Sequence, residues 1–305
     1  MASFDPSKDI PDLSGKVILI TGGNTGLGLE TILQLSQHKP AHIYLAARSE
    51  DKAKTAIQEV QSKVPSAPPI SFIKLDLASF ASIKAAAASF TASSNRLDIL
   101  INNAGIMATP EGLTEDGYEI QLGTNHLGPA LLTKLLLPTL KATAATKPSD
   151  VRVIFVSSKM ESTAPKDSYH LDKAKTTMPQ LSTWARYGMS KLATVHYAEA
   201  LAKQNPDIKS ISIHPGIVAT NLGNSFFGSN NFLIAGIVKV ALKFMSVSVE
   251  KGALNTLWTA TSKNAKSGVF YHPVGVTGKG SNLSQDEKVR GQLWEWTEKE
   301  LDAHV

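Results

Sequence analysis

"TGGNTGLG", Thr21–Gly28, lies between the apolar run "KVILI" and the segment "LETILQLSQ". Its four glycines therefore fall where a strand-like pattern gives way to a helix-like one. Ordering glycine costs more backbone entropy than ordering any other residue, so such a cluster marks a sharp turn or a close approach to the main chain. In a strand–loop–helix unit, the first helical turn brings unpaired N–H groups and the positive dipole end to the carboxyl edge of the sheet. A pyrophosphate fits there if no Cβ obstructs it, and Gly22, Gly26 and Gly28 make that room. Gly28 also lets the helix pack closely on the strand. With Asn24, Thr25 and Leu27 they form a candidate phosphate loop. The spacing is Gly-x3-Gly-x-Gly, not the common Gly-x-Gly-x2-Gly, and the Gly-Lys-Ser/Thr ending of a P-loop is missing. A tight turn with no ligand is the plain alternative.

Around this loop, short β-rich runs alternate with longer helix-like segments: "VILIT", Leu27 to Gln37, "HIYLAA", Asp51 to Lys63, "ISFIKL", Ser79 to Ser93, "LDILIN". The alternation predicts βαβ units feeding a parallel sheet with helices on both faces. It continues through a long apolar helix from about Tyr118 to Ala145, then "VRVIFVS", a helix over Thr183 to Gln204, "SISIH", and a last strand within Gly268 to His272. No composition shift divides the chain, so one α/β domain of Rossmann type, a doubly wound parallel sheet over residues 1–305, is expected. Two segments depart from the pattern and read as enlarged substrate loops, about 159–182 and 221–249. The second contains "FLIAGIVKVALKFM", Phe232–Met245, too short to span a bilayer. A lid or pocket-wall helix is expected there, with weak membrane-surface contact as the alternative.

The 305 residues carry 42% hydrophobic content, a formal charge of +5 and no cysteine. Disulfides and thiolate metal sites are excluded, and the scattered charges give no nucleic-acid face. No secretory h-region or long apolar run occurs, so a soluble, cytoplasmic protein is expected. The sequon Asn282-Leu283-Ser284 then has no role.

Further along stand "NNAG" at Asn102–Gly105, "NHLG" from Asn125, "YGMSK" with Tyr187 and Lys191, and "HPGIVAT" at His214–Thr220. Together with the glycine loop, and in this order, these resemble the short-chain dehydrogenase/reductase family over about residues 14–220. The resemblance implies a nicotinamide dinucleotide cofactor. An acid at the end of the second strand would accept from a ribose 2′-OH, whereas a cation there pairs with a 2′-phosphate. Here the strand ends "LAARSEDK", so Arg48 points to NADP(H) through a bidentate grip on phosphate, unless it merely pairs with Glu50 or Asp51. The resemblance further assigns Asp76 and Leu77 to the adenine side and Asn102, Ala104 and Gly105 to the ribose side. Pro215, Gly216, Val218 and Thr220 fall on the carboxamide side.

Tyr187 and Lys191 share one helix face at four-residue spacing. A phenol with pKa near 10 needs a neighbouring cation to become a base at neutral pH, and the Lys191 ammonium together with a positive oxidised nicotinamide is expected to pull it down. Tyr187 would then act as acid in carbonyl reduction or base in alcohol oxidation. By the resemblance, Ser158 holds the substrate oxygen, with Ser157 its close competitor, and Asn125 orders a water behind Lys191. From Ser158 to Tyr187 is 29 residues, longer than in compact members of the family and similar to retinol-dehydrogenase-like and carbonyl-reductase branches. The insertion must loop out for the two to meet.

An NADP(H)-dependent reductase of an apolar or aromatic ketone or aldehyde is therefore expected, with Phe226, Phe227, Phe232, Leu233 and Ile234 as an apolar pocket wall. The different-class alternative is a non-catalytic NADP-binding regulator or scaffold, which would generally lose the tyrosine or lysine. An extended epimerase carries Gly-x2-Gly-x2-Gly, and a serine hydrolase would need a Gly-x-Ser-x-Gly elbow, absent here. His126, His170 and His196 read as surface or packing residues, without a metal-ligand pattern. The helices at 118–145 and 183–204 resemble the family's dimer-forming pair, so a homodimer is expected, or a monomer where the long insertion blocks that face.

Overall fold

The computed structural model describes residues 4–146, 149–167, 169–218 and 247–305. After a short N-terminal helix α1 (Pro6–Asp9), strand β1 (Val17–Thr21) enters the glycine loop and helix α2 (Gly26–Ser36) leaves it. Then follow β2 (His42–Ala47), α3 (Glu50–Lys63), β3 (Ile70–Lys74), α4 (Phe80–Ser93) and β4 (Ile99–Asn102). A three-residue helix α5 (Ile120–Leu122), a π-turn (Gly123–Leu127) and α6 (Gly128–Ala145) lead to β5 (Val151–Val156). Helix α7 (Thr183–Gln204), β6 (Ile208–Ile213), α8 (Val249–Thr261), β7 (Val269–Tyr271) and α9 (Glu287–Asp302) complete the described chain.

The seven strands form one sheet in the order β3-β2-β1-β4-β5-β6-β7, and every pairing is parallel. This is the Rossmann-type sheet expected from the alternation. Successive side chains of a strand face opposite sides. In β1, Val17 and Leu19 join the apolar layer of α4, α6 and α7, whereas Ile18 and Ile20 join that of α2, α3 and α8. Both faces of the sheet are covered, which is why its strands read as continuous apolar runs. The strand order reverses between β1 and β4, the switch point where open α/β sheets bind ligands at their carboxyl ends.

One expected helix differs. The span from about 118 to 145 begins as α5, widens into the π-turn and then continues as α6. Glu119 starts it, its carboxylate accepting from the N–H groups of Gln121 at 3.0 Å and Leu122 at 2.7 Å. The wide turn is held by Asn125, whose amide exchanges two hydrogen bonds with the main chain of Ile106. A π-turn inside a helix frequently marks a functional position.

The insertion after β5 is folded inward and not simply looped out. Tyr169, Ala174 and Met178 are buried, and the Tyr169 hydroxyl lies 2.8 Å from His196 Nδ1. Helix α9 lies against α7 and α6: Trp294 stacks on Tyr197 with ring centroids 5.4 Å apart, and Lys134 pairs with Glu298 at 2.6 Å. Most of segment 221–249, with the five apolar residues assigned to a pocket wall, lies outside the described residues. Among those described, no helix is long and apolar enough to cross a membrane.

Candidate active site

The carboxyl ends of β1, β4, β5 and β6 converge on one place. At β1, Gly22 and Gly26 have φ of +67° and +54°, a left-handed conformation that glycine adopts without strain. A Cβ on Gly22 would stand 3.1 Å from Ala104 Cα, and one on Gly28 would strike the carbonyl oxygen of Gly22 and come within 2.7 Å of Asn103 Nδ2. Thr25 is the N-cap of α2 yet its side chain caps nothing. The first turn of α2 therefore keeps unpaired N–H groups facing a wall without side chains. That arrangement fits a dinucleotide pyrophosphate.

Thr21 and Asn103 bind the glycine loop to "NNAG". The Thr21 hydroxyl accepts from the N–H groups of Asn103 and Ala104, each at 3.0 Å, and Asn103 Nδ2 donates to Thr21 O at 2.9 Å. The sequence reading passed over Asn103; its place between two motif loops was the available signal. Asn102 turns inward and donates to Thr133 Oγ1 at 3.1 Å, while its Oδ1 is enclosed without a partner.

Arg48 is exposed immediately after β2. The alternative of a surface pair with Glu50 or Asp51 does not occur: Glu50 pairs with Lys54 at 2.8 Å, and Arg48 has no ion-pair partner among the described residues. A free guanidinium beside the phosphate loop fits a 2′-phosphate. Asp76 and Leu77 follow β3. Asp76 accepts from Ala78 N at 2.9 Å, and Leu77 is pressed against Gly128 at the start of α6.

Helix α7 carries Tyr187 and Lys191, both buried, to the end of β5. Lys191 Nζ donates to Val156 O at 2.9 Å and lies 5.8 Å from the centre of the Tyr187 ring. The Ser157 hydroxyl donates to Lys191 O at 2.7 Å, so it serves the helix. Ser158 Oγ accepts from Met160 N at 3.1 Å and stands close enough to the Tyr187 phenol to favour its charged form. Gly105 separates Asn125 from Lys191: a Cβ there would lie 2.9 Å from Asn125 Oδ1 and 3.4 Å from Lys191 Nζ. Asn125 also donates to Ser190 Oγ at 2.9 Å, tying the π-turn to α7.

The electrostatics differ from the sequence expectation. Burial pushes the Tyr187 phenol up to about 12, with Ser158 opposing it. Burial also brings Lys191 down to about 8. The desolvation of both groups outweighs the attraction expected between ammonium and phenolate. At neutral pH the phenol therefore holds its proton and the ammonium remains mostly charged.

On the far side of the site, Gly216 turns the chain at φ +92°. Val218 packs so near α8 that a Cβ on Gly252 would lie 2.5 Å from Val218 Cγ2 and 2.8 Å from Leu27 Cδ2. Val218 thus lies close to Leu27 at the start of α2, Pro215 and Gly216 precede it in the turn after β6, and Thr220 lies outside the described residues. The histidines are engaged in packing: His126 Nε2 is 2.8 Å from Thr297 Oγ1, and His196 Nε2 is 3.0 Å from Leu283 O. His170, half-buried, lies 3.3 Å from Asp167.

Behind Tyr187, Arg186 Nε lies 3.3 Å from Glu119 Oε1, and both side chains are buried. Neither atom meets hydrogen-bond geometry, so the contact is one of charge. Arg186 also donates to Leu181 O at 2.7 Å. The pair links the start of the Asn125 turn, the end of the insertion and the start of the Tyr187 helix.

The family model for short chain dehydrogenases matches residues 16–169. An uncharacterised oxidoreductase of Schizosaccharomyces pombe is 38% identical over 95% of this chain and 86% of its own length. The short-chain dehydrogenase/reductase drtF of Aspergillus calidoustus is 35% identical over 96% of this chain and 95% of its own. Among solved structures, an uncharacterised protein of Mycobacterium paratuberculosis superposes with a TM-score of 0.74 at 26% identity, covering 97% of this chain and 96% of that one. L-sorbose reductase of Gluconobacter frateurii, solved with NADPH and L-sorbose, shares the fold at a TM-score of 0.66 and 20% identity, over 86% and 96% of the two chains. A match over half the chain, with relatives alike along nearly their whole length, leaves one assignment: this chain belongs to the short-chain dehydrogenases/reductases.

Proposed function

We propose that this chain is an NADP(H)-dependent carbonyl reductase, acting on a ketone or aldehyde and working chiefly in the reductive direction. Its family is one of oxidoreductases that use NAD(P)(H). The observation that carries the proposal is the Tyr187 phenol, buried, close to Ser158 and pushed up to about 12 beside a charged Lys191. A phenol that keeps its proton is a donor, and a substrate oxygen gaining negative charge needs one.

In this reading Gly22, Asn24, Thr25, Gly26, Leu27 and Gly28 hold the pyrophosphate and Arg48 the 2′-phosphate. Asp76 and Leu77 flank the adenine, Asn102, Ala104 and Gly105 the ribose, and Pro215, Gly216 and Val218 the carboxamide. The bound dinucleotide supplies the hydride that reaches the carbonyl carbon. Ser158 orients the carbonyl oxygen by hydrogen bond, and Tyr187 transfers its proton to that oxygen as the C=O double bond becomes C–O. Lys191, held by Val156 O, stabilises the phenolate left behind. Asn125 keeps the π-turn in place behind Lys191. A cytoplasmic setting goes with this reading, tested by imaging the tagged chain in its host cell.

The test is reduction of an aromatic aldehyde and ketone panel with NADPH by wild type and Tyr187→Phe. Loss of the phenol should lower kcat by about 10²–10⁴-fold while NADPH binding changes less than threefold. Equal turnover by both proteins would overturn the role of Tyr187. Absence of turnover in wild type together with intact NADPH binding would favour the non-catalytic regulator.

A further inference from the structure

Beside Ser158 lies a cluster of two lysines and two histidines that the reaction scheme does not use. Lys159 follows Ser158 directly and is exposed. The 3-10 turn that it opens, Lys159–Thr163, is fastened to the segment after β7 by Glu161. One Glu161 oxygen accepts from Ser281 N at 2.8 Å and the other from Ser281 Oγ at 2.6 Å. Glu161 is buried. This latch joins the segments bearing Lys159 and Lys279, each two residues from a member of the latch, while the carboxylate itself is occupied by Ser281. Neither lysine has an ion-pair partner among the described residues.

Two imidazoles stand in the same place. His214 directly follows β6 and His272 directly follows β7, and His214 N donates to Tyr271 O at 3.0 Å. Their ring centroids are 4.4 Å apart at 74°. His214 is 7% exposed, and the Nδ1 atoms of both rings are enclosed without a hydrogen-bond partner. The adjoining main chain is satisfied, because Asn255 Nδ2 donates to both His214 O and Tyr271 O at 2.9 Å. Lys159 acts electrostatically on both rings, Lys279 on His272 and Lys191 on His214, and no acidic group acts on either. Burial first, and the lysines after it, hold both imidazoles below the usual histidine range, so the rings are neutral. A neutral imidazole with no acceptor for its N–H, set among cations, is unfavourable until something anionic accepts from it.

We propose that Lys159, His214, His272 and Lys279 form a subsite for an anionic group, carboxylate or phosphate, carried by the carbonyl substrate next to Ser158. The inference rests on the reductase reading and narrows its substrate to an oxo compound with a charged end. Solvent-facing lysines at the rim draw the anion in, and the imidazoles of half-buried His272 and buried His214 donate to it.

The experiment is calorimetric titration of benzoate, phenyl phosphate and the neutral control benzamide into wild type and K159M/K279M. The expected result is that at least one anion binds wild type tenfold or more tightly than benzamide, and loses at least tenfold in the variant. The stronger of the two anions assigns carboxylate or phosphate. Anion binding no tighter than that of benzamide, or unaltered in the variant, overturns the subsite. Since Lys159 adjoins Ser158, K279M alone is the second variant, with at least a threefold loss expected and no loss counting against the subsite. These titrations need no turnover, so they separate the two claims. Anion binding as expected without reduction of any carbonyl compound defeats the reductase reading alone. Reduction of 4-carboxybenzaldehyde and its methyl ester with equal kcat/KM defeats the subsite alone.

Discussion

Lys191 donates its ammonium to the carbonyl oxygen of Val156 at 2.9 Å, fixing helix α7 to the last residue of β5, two residues before Ser158. One buried cation thus positions the tyrosine helix and the serine strand against each other.

Holding that cation inside is unfavourable for the fold. Burial lowers Lys191 to about 8 from an ordinary 10.5, so between those values the unfolded chain binds more protons than the native one. The penalty is therefore complete below pH 8 and relieved as pH rises towards 10.5. At about 1.4 kcal/mol per pH unit it amounts to roughly 3 kcal/mol, offset in part by the bond to Val156. Lys191→Met should unfold no lower than wild type at pH 7 in scanning calorimetry while losing reductase activity. A fall in Tm of more than about 4 °C, roughly 2–3 kcal/mol for a chain of this size, would contradict this.

The same value sets a pH profile. Reduction needs the Tyr187 proton, retained until about 12, and the Lys191 charge, lost through about 8. In reductive assays kcat/KM should be level from pH 6 to 7 and fall as pH rises through about 8. A rise across pH 7 to 9 would show that the phenol acts as a base under these conditions.

The adjacent serines should separate cleanly. Ser157 donates to Lys191 O and Ser158 stands close to the phenol. Ser158→Ala is expected to lower kcat by about 10²-fold with little change in Tm, in the range for loss of a donor at a developing oxyanion. Ser157→Ala should cost about 1 kcal/mol of stability and leave kcat within tenfold. Steady-state kinetics and urea unfolding of both variants decide it.

Glu119 and Arg186 form a buried pair 3.3 Å apart behind the tyrosine. Removing one partner of such a pair leaves a charge uncompensated and costs about 3–5 kcal/mol. Arg186→Met should show that loss in urea unfolding, with kcat reduced as well because Arg186 precedes Tyr187. Replacing both, with Glu119→Gln and Arg186→Met, should recover part of the stability.

Much of this architecture can be read from the chain. The glycine loop and the Tyr187–Lys191 spacing are local patterns, set by backbone sterics and helical periodicity, and both stand where they were expected. What escaped depends on distant contacts. The choice of Ser158 over Ser157 rests on the family resemblance alone; the backbone leaving β5 decides physically which hydroxyl meets α7. The π-turn at Gly123–Leu127 is created by Asn125 bonding to Ile106, 19 residues away. The Tyr187 phenol was expected to be lowered by Lys191, but enclosure by the whole site decides its proton affinity. Helices α8 and α9 went unassigned although Ser248 and Asp286 cap them, Ser248 accepting from Lys251 N and Asp286 from Lys288 N. Those caps were the legible signal.

The proposed use of NADP(H) hangs on Arg48, exposed after β2 with no ion-pair partner among the described residues. Separate titrations of NADPH and NADH into wild type and Arg48→Ala, followed by nicotinamide fluorescence, test it. NADPH is expected to bind wild type at least tenfold more tightly than NADH, about 1.4 kcal/mol or more, with the substitution erasing the difference. Equal or tighter binding of NADH by wild type would contradict the cofactor assignment, and binding of neither would contradict the reductase itself.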